Sequence, residues 1–550
     1  MLYKKYLFLW LIILISFITI TDLFRPGLPV THDGQDHVAR IANFYQNLTE
    51  GNIIPRWAGN LNWGYGHPIL EFLYPLPSYF ASIFHFLGFT LVDSLKLVFG
   101  VSFVLSGVTM YVFIRELLRD EKAAFLAGLL YVIAPYRFVD LYVRGAIGEH
   151  VAFIFPPLIF YFLLKLSKRY SWWYLMGGAI SFAGLNLAHN AISLMFILLF
   201  GLFALFLLLQ SKKKIQLGSQ YLATILLGFG LSAFFWLPAF IEGKYTLRDI
   251  VTGGGEYARS FVAWKDFFFG QWSYGGTLTL SKQIGIVHWI GTFSSVIAIY
   301  YLYRNKNKLW ILGLGSFLIF WIALFLMTSA SAPIWQSVTV LQKFQFPWRF
   351  LSLTVFVSAL LGAIASYALP DKYKKILLLI FVLSLLLANK DYWHANGYLH
   401  KPESFYNVIY DSTTDTGESS PIWSIRFMEK RPKAHIEVIS GEAVIKELNR
   451  ESTLHAYEID AAEKSRIVEN TLYFPGWNVF LEGKETKIEF QDPQNRGLIT
   501  FFLEKGKHEV VIRFKETKVR LLANILSIIS LFLIIILSIL NKSSIWRRFR

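Results

Sequence analysis

Thr31 to His37 reads Thr-His-Asp-Gly-Gln-Asp-His and follows directly on the first apolar run of the chain. Two carboxylates and two imidazoles are packed there, where a membrane span ordinarily leaves into a neutral or aromatic belt. If a helix begins after Thr31, Asp33 and Asp36 share a face, and Asp33 and His37 stand at the i, i+4 spacing. Such a set supplies a general base tuned by His32, Asp36 or His37, or the oxygen and nitrogen donors of a metal site. The bland alternative is a helix start capped by Thr31 or Asp33, with an acidic first turn.

Other charged groups sit between apolar segments further along. Arg-Phe-Val-Asp-Leu-Tyr-Val-Arg-Gly-Ala-Ile-Gly-Glu-His, residues 137 to 150, contributes Arg137, Asp140, Arg144, Glu149 and His150. Snorkelling at an interface explains the two arginines easily and the two acids poorly. Two acidic clusters on separate loops can converge as a base with a metal site, or as a base with a substrate clamp, and both readings stay open. Lys244, Arg248, Arg259 and Lys265, then Lys343 and Arg349, suit an anionic headgroup, where a guanidinium fork matches a phosphate. For Arg349 an interfacial helix anchor weighs equally. Thr-Gly-Gly-Gly-Glu-Tyr at 252 to 257 lacks the strand and helix of a phosphate loop and reads as flexible backbone. Asn47 opens a glycosylation triplet, a weak signal alone. His189 and Asn190 read as a buried polar pair rather than as substrate contacts.

These groups must be held by a membrane protein. Of 550 residues, 55% are hydrophobic, 17% aromatic and only 16% charged. Apolar segments long enough to cross about 30 Å of hydrocarbon recur, and spans in lipid must be helical to satisfy their own backbone. The expected spans are 7–23, 96–117, 122–136, 150–167, 172–188, 191–209, 218–240, 287–303, 309–328, 349–369, 375–389 and 519–540, about twelve in all. The formal charge of +16 is scattered in short basic clusters between them, which is topology and not a nucleic-acid surface. Lys4 and Lys5, Arg115 to Lys122, Lys165 to Arg169, Lys212 to Lys214, Arg304 to Lys308, Lys372 to Lys375 and Arg547 to Arg550 mark cytoplasmic turns, and the first run is a retained anchor. Residues 69–89 are apolar but broken by prolines, and counting them as a span would invert every later loop, so they are expected as a juxtamembrane or re-entrant helix. The outside then holds a long first loop, 24–95, shorter loops at 137–149, 241–286 and 329–348, and a soluble region, 390–518. That region alternates apolar and polar residues between turn-like Glu-Gly-Lys and Lys-Gly-Lys, the pattern of a small antiparallel β-sandwich. The chain has no cysteine, which excludes disulfides, thiolate metal sites and cysteine nucleophiles. Three parts result: a multi-span domain, 1–389, a β domain, 390–518, and a last helix with a basic cytoplasmic tail, 519–550.

An acid directly after the first span, a long first outer loop and a second acid between the third and fourth spans resemble the C superfamily of membrane glycosyltransferases (GT-C). More narrowly, THDGQDH, PRWAGNLNWGYGHP with YPLPSYF, YVRGAIGEH, Leu-Ala-His-Asn at 187 to 190, FQFPWRFL and YFPGWNVFLEGK resemble the bacterial YfhO-like and 6-pyruvoyl-tetrahydropterin synthase-related membrane families. Nothing in the residues suggests pterin chemistry. The resemblance implies a GT-C-like fold and a polyprenyl-phosphate sugar as donor, used at the outer leaflet. By position, Asp33 matches the catalytic base and Glu149 the second acid. Neither site has the paired Asp-x-Asp form of some members, so use of a divalent cation, Mg or Mn, stays open.

The expected function is transfer of a sugar, with inversion, from that carrier to an envelope polymer, lipid or protein, outside the cytoplasmic membrane of a bacterium. Arg137, Arg144, Lys265 and Arg349 are the candidates to hold the departing phosphate, with Asp36, His32, His37, Asp140 and His150 in supporting or metal-binding roles. A lipid or glycan transporter is the principal rival and predicts ionisable residues facing a pathway through the spans. A noncatalytic envelope scaffold would leave the acidic loops without a task.

Overall fold

A computed structural model of the chain describes residues 6–253, 255–272 and 280–542. Lys4 and Lys5, the middle glycine of Thr-Gly-Gly-Gly-Glu-Tyr and the basic tail Arg547 to Arg550 lie outside the described residues.

Helices occupy all twelve segments expected to span. Seven are long and apolar enough to cross a membrane, and nine if each of two bent pairs counts as one span, among the described residues. The bent pairs are Glu121–Val132 with Pro135–Arg144, at 44°, and Lys214–Leu231 with Ala233–Tyr245, at 71°. The other three are Leu7–Ile18, with 12 residues, Trp172–Ala188, with 17, and the lysine-bearing Asp371–Asn389, with 19. The 69–89 stretch is no span: it forms two short helices, Ile69–Phe72 and Leu76–Phe86, separated at Pro75. Residues 137–149, expected as a loop, are wound into Pro135–Phe138, one wide turn over Val139–Arg144, and the start of Ile147–Ala152.

Three of the turns carrying basic clusters, at 115–122, 165–169 and 372–375, meet at one end of the bundle. Glu116 pairs with Lys165 and Lys168 at 3.5 and 2.9 Å, and Asp120 with Lys374 at 2.7 Å. Helix Leu91–Leu118, with 28 residues, carries the chain from that end to the other over about 42 Å at the helical rise. Its far end meets the first long loop, where Lys96 Nζ donates to Arg25 O at 2.9 Å.

Among the described residues ten strands are formed: β1 Leu28–Pro29, β2 Tyr398–Leu399, β3 Ile436–Ser440, β4 Ala443–Arg450, β5 Leu454–Ala461, β6 Ser465–Leu472, β7 Trp477–Leu481, β8 Lys484–Thr486, β9 Leu498–Leu503 and β10 Gly506–Phe514. All pairings are antiparallel, in a five-stranded sheet β4-β5-β10-β7-β8, a three-stranded sheet β3-β6-β9 and the small pair β1-β2. Alternate residues of the two larger sheets, Tyr457 and Ile459, Val510 and Ile512, Ile499 and Phe501, point into one core. That is the sandwich the alternation predicts. It begins only at Ile436. The preceding residues instead form a strap stitched to the membrane-proximal loops: β2 pairs with β1, Asn62 N donates to Ser412 O at 2.7 Å, and Leu247 N to Ser420 O at 2.8 Å.

Candidate active site

Thr31 accepts from Gly34 N at 3.1 Å and thereby starts helix Gly34–Thr49. Asp33 stands at the N-cap position without a capping hydrogen bond, so its carboxylate is not used to begin the helix. The two acidic segments named from the sequence are bonded backbone to backbone: His32 N donates to Val143 O at 3.0 Å and Asp33 N to Arg144 O at 2.9 Å. Gly145, at φ +71°, permits this approach, because a Cβ there would lie 2.5 Å from Thr31 Oγ1.

Above this junction opens a cavity of about 1340 Å³. That exceeds the roughly 300–1,000 Å³ of an ordinary small-molecule pocket and leaves room for a large ligand. Its wall has three characters. His32, Asp33, Asp36, Asp415 and Glu418 make one part acidic, Arg144, Arg248, Arg259, Lys282, Lys343 and Arg349 make another basic, and Leu194, Ile197, Trp236 and Phe240 make a third apolar. Leu194, Ile197 and Phe240 are 41%, 43% and 76% exposed, so the apolar part is open surface and is not closed off by packing.

On the acidic side, Tyr410 donates to Asp36 at 3.1 Å, and Arg40 donates through Nε to Thr414 Oγ1 at 2.9 Å and through Nη1 to His37 Nδ1 at 3.1 Å. Burial pushes the Asp36 carboxyl up against the pull of Arg40 and of the Tyr410 hydroxyl, and the neighbouring Asp33 adds to the rise. Burial, reinforced by Arg40 and Arg144, holds the His37 imidazole well below its ordinary value, so it is neutral. Burial also acts to raise Asp415, but His67 at 3.5 Å and the Ser419 and Gly417 N–H groups outweigh it and keep that carboxyl well below the usual range.

On the basic side the guanidinium groups are set from behind. Glu149 is 1% exposed and is not among the cavity-lining residues. Its Oε2 accepts from the Tyr136 hydroxyl at 2.8 Å, while Oε1 lies 3.0 Å from Arg144 Nη2, 3.5 Å from Arg349 Nε and 4.0 Å from His189 Nε2. The Oε1 contacts are ion-pair distances without hydrogen-bond alignment, since neither Glu149 Oε1 nor Arg349 Nε has an aligned partner. Asp140 fixes Arg144 from the other side at 2.6 Å, and the Arg144 guanidinium lies over the Trp348 ring at 4.7 Å.

Several expected site residues therefore lie elsewhere. Arg137 is fully buried over the Phe153 ring at 3.9 Å, His150 is packed between Phe99 and Phe103, and Asp140 is sealed behind Arg144. Lys265 is exposed on helix Trp264–Phe268, away from the cavity wall. Asn47 is wholly buried, with Nδ2 bonded to Asn43 O and Trp57 O at 2.9 Å each, which rules it out as a glycosylation acceptor. His189 is buried but reaches the cavity wall, stacked on Tyr74, while Asn190 is exposed there, so the two are not a buried pair. Sequence reasoning missed Arg40, Tyr410, Thr414, Asp415 and Glu418. The signal was the run Asp-Ser-Thr-Thr-Asp-Thr-Gly-Glu-Ser-Ser at 411 to 420, dense in hydroxyls and acids and without the strand alternation around it. Among the described residues no group of three or more His, Asp or Glu side chains is placed to hold a metal ion such as the Mg or Mn left open by the sequence.

The profile of a family described as a 6-pyruvoyl-tetrahydropterin synthase related domain, a membrane protein, matches residues 70–395. The chain belongs to this family. Within the 6-pyruvoyl-tetrahydropterin synthase-related family's matched region fall Arg144, Glu149, Arg248, Lys343 and Arg349, while Asp33 precedes it and the strap residues Thr414 to Glu418 follow it. An uncharacterized protein of Lactococcus lactis subsp. cremoris (strain MG1363) is 29% identical over 282 residues, covering 49% of this family member and 45% of that relative's length. Among solved structures, the Archaeoglobus fulgidus oligosaccharyltransferase in its apo form superposes with a TM-score of 0.46 at 16% identity, over 76% of this chain and 62% of the other. The arabinofuranosyltransferase AftD from Mycobacteria gives 0.43 at 11%, over 70% and 27%. ArnT from Cupriavidus metallidurans, bound to undecaprenyl phosphate, gives 0.37 at 14%, over 73% and 68%. All three are partial likenesses.

Proposed function

We propose that this protein is a glycosyltransferase that moves a sugar from a polyprenyl-phosphate carrier to a hydroxyl of an envelope glycan, lipid or protein, on the outer side of a bacterial cytoplasmic membrane crossed about twelve times. One observation carries the reading: a carboxylate not used in capping, Asp33, and two preset guanidinium groups, Arg144 and Arg349, line one cavity that also has an exposed apolar side. The acceptor hydroxyl gives its proton to the Asp33 carboxylate as its oxygen bonds to the sugar's anomeric carbon. The bond from that carbon to the phosphate oxygen breaks, and its electron pair stays on the phosphate. Arg144 and Arg349 meet the charge that gathers there, with no reorganisation needed because Glu149 and Asp140 already hold them. A single displacement of this kind inverts the anomeric centre.

Glu149 acts in this scheme as a positioning residue, since the arginines stand between it and the cavity. Tyr410 and Arg40 fix the acidic wall, so the strap completes the site and does not merely cap it. The test is reconstitution with polyprenyl-phosphate sugars and an envelope extract, comparing Asp33→Asn with the parent. Loss of transfer with carrier binding retained is the expected result; undiminished transfer eliminates Asp33 as the base, and lipid translocation without any transfer by the parent replaces this reading with the transporter.

A further inference from the structure

The basic wall contains a second pair of cations built like the first. Asp249 Oδ1 lies 2.8 Å from Lys343 Nζ and 3.4 Å from Arg248 Nε, so one carboxylate bridges two cations, as Glu149 does for Arg144 and Arg349. The two pairs share a loop, because Arg349 Nη1 donates at 3.0 Å to the carbonyl of Phe344, the residue after Lys343. Arg248 is steadied by a hydrogen bond from Nη1 to Ala239 O at 3.3 Å, on the helix that carries Trp236 and Phe240 into the apolar wall. Arg259 and Lys282 line the cavity too, so four cations of this outer group stand against three carboxylates, Asp249, Glu256 and the Asp266 that acts on Lys282. Solvation grades along the row: the Arg144 side chain is 9% exposed, Arg349 16%, Arg248 34% and Lys343 54%. A donor with one phosphate needs only the inner pair, which leaves the outer pair facing the cavity with the Asp249 carboxylate between its cations and no phosphoryl group to meet.

The geometry points to a second phosphoryl subsite at Arg248 and Lys343, so that the cavity takes two phosphoryl groups at once. This rests on the proposed reading in which Arg144 and Arg349 hold the donor phosphate. The second group comes either from the donor, as a lipid diphosphate in place of a monophosphate, or from a phosphodiester of the acceptor. Because the outer pair is more solvated, its contribution falls with salt more steeply than that of the inner pair.

Binding to the full chain in lipid nanodiscs tests this with undecaprenyl phosphate, undecaprenyl diphosphate and the soluble phosphodiester glycerophosphoglycerol. The parent is compared with the double variant Arg248→Gln, Lys343→Gln, with Lys343→Glu, and with Arg349→Gln. For a donor diphosphate, the parent binds it roughly tenfold tighter than the monophosphate, and the double variant loses that advantage while keeping its monophosphate affinity. Lys343→Glu, which reverses a charge in solvent and spares the fold, weakens the diphosphate further. For an acceptor phosphate, the two lipids bind alike, and the protein preloaded with undecaprenyl phosphate binds glycerophosphoglycerol in the parent but not in the double variant. The subsite is overturned if neither ligand distinguishes parent from double variant. Failure of the underlying reading shows separately, as monophosphate binding that Arg349→Gln leaves intact.

Discussion

Replacing Glu149 by Gln separates a carboxylate that does chemistry from one that aims other groups. Glu149 is 1% exposed and touches Arg144 at 3.0 Å, Arg349 at 3.5 Å and the Tyr136 hydroxyl at 2.8 Å. Breaking a buried ion pair from one side costs about 3–5 kcal/mol, since the partner charge is left unpaired. Gln keeps the shape and one acceptor oxygen, and Asp140 still holds Arg144, so the expected loss of stability is near the lower end, about 3 kcal/mol. Arg349 fares worse, because its remaining partners are the Phe344 carbonyl and the Gln345 side chain, both neutral. A misaimed guanidinium forfeits a charge-assisted bond to phosphate of about 1.5–3 kcal/mol, which is roughly tenfold to a hundredfold in carrier affinity. Titration of undecaprenyl phosphate against parent and Glu149→Gln, beside transfer kinetics, reads this directly. Glu149→Asp keeps the charge and recovers part of the affinity. Unchanged carrier binding with kcat down by a factor of about 10² or more would refute the positioning role and place Glu149 in the proton chemistry itself.

Gly145→Ala puts a methyl 2.5 Å from Thr31 Oγ1 at φ +71°, so a loss of about 1–2 kcal/mol in stability and a fall in kcat from displacement of Asp33 are expected, read by thermal unfolding and transfer assay. Arg40→Met removes the bonds to Thr414 and His37 together; the strap then loosens, seen as faster amide exchange at residues 410 to 420 than in the parent. Glu71 carries a pH signature. Burial beside Glu242, only partly offset by Arg520 at 2.8 Å, pushes its carboxyl up to about 8, so the folded state holds a proton that the unfolded chain releases near the ordinary value of 4.5. Its contribution to stability is complete below 4.5 and is lost as pH rises through about 8, so the unfolding midpoint of the parent falls across that window and that of Glu71→Gln falls less. Equal slopes for the two proteins would remove Glu71 as the titrating group.

The legible parts of this chain are those written in short-range periodicity. Apolar runs gave helices at every expected place, and alternation over β4 to β10 gave the sandwich, because burial on one face or all round imposes a local pattern. Asp33, which lines the cavity, stood out in the sequence for a related reason: a charge where lipid meets water carries a solvation cost that needs an explanation. The depth of a side chain is not local. Arg137, Arg144, Glu149 and His150 fall within fourteen residues, yet only Arg144 reaches the cavity wall, because the wide turn over Val139–Arg144 rotates its neighbours into the packing of the adjoining helices. The strap was hidden by the opposite effect. Thr414 and Asp415 reach Arg40 and His67 across more than three hundred positions, and residues held by long-range contacts need no periodicity of their own. The acid-rich run at 411 to 420 was visible, but its task depended on the loops it is stitched to. Pairing β2 with β1 sets both at once, anchoring the strap two residues before Thr31 starts the helix that carries Asp33's neighbours, so the soluble region positions the acidic wall from outside the bundle.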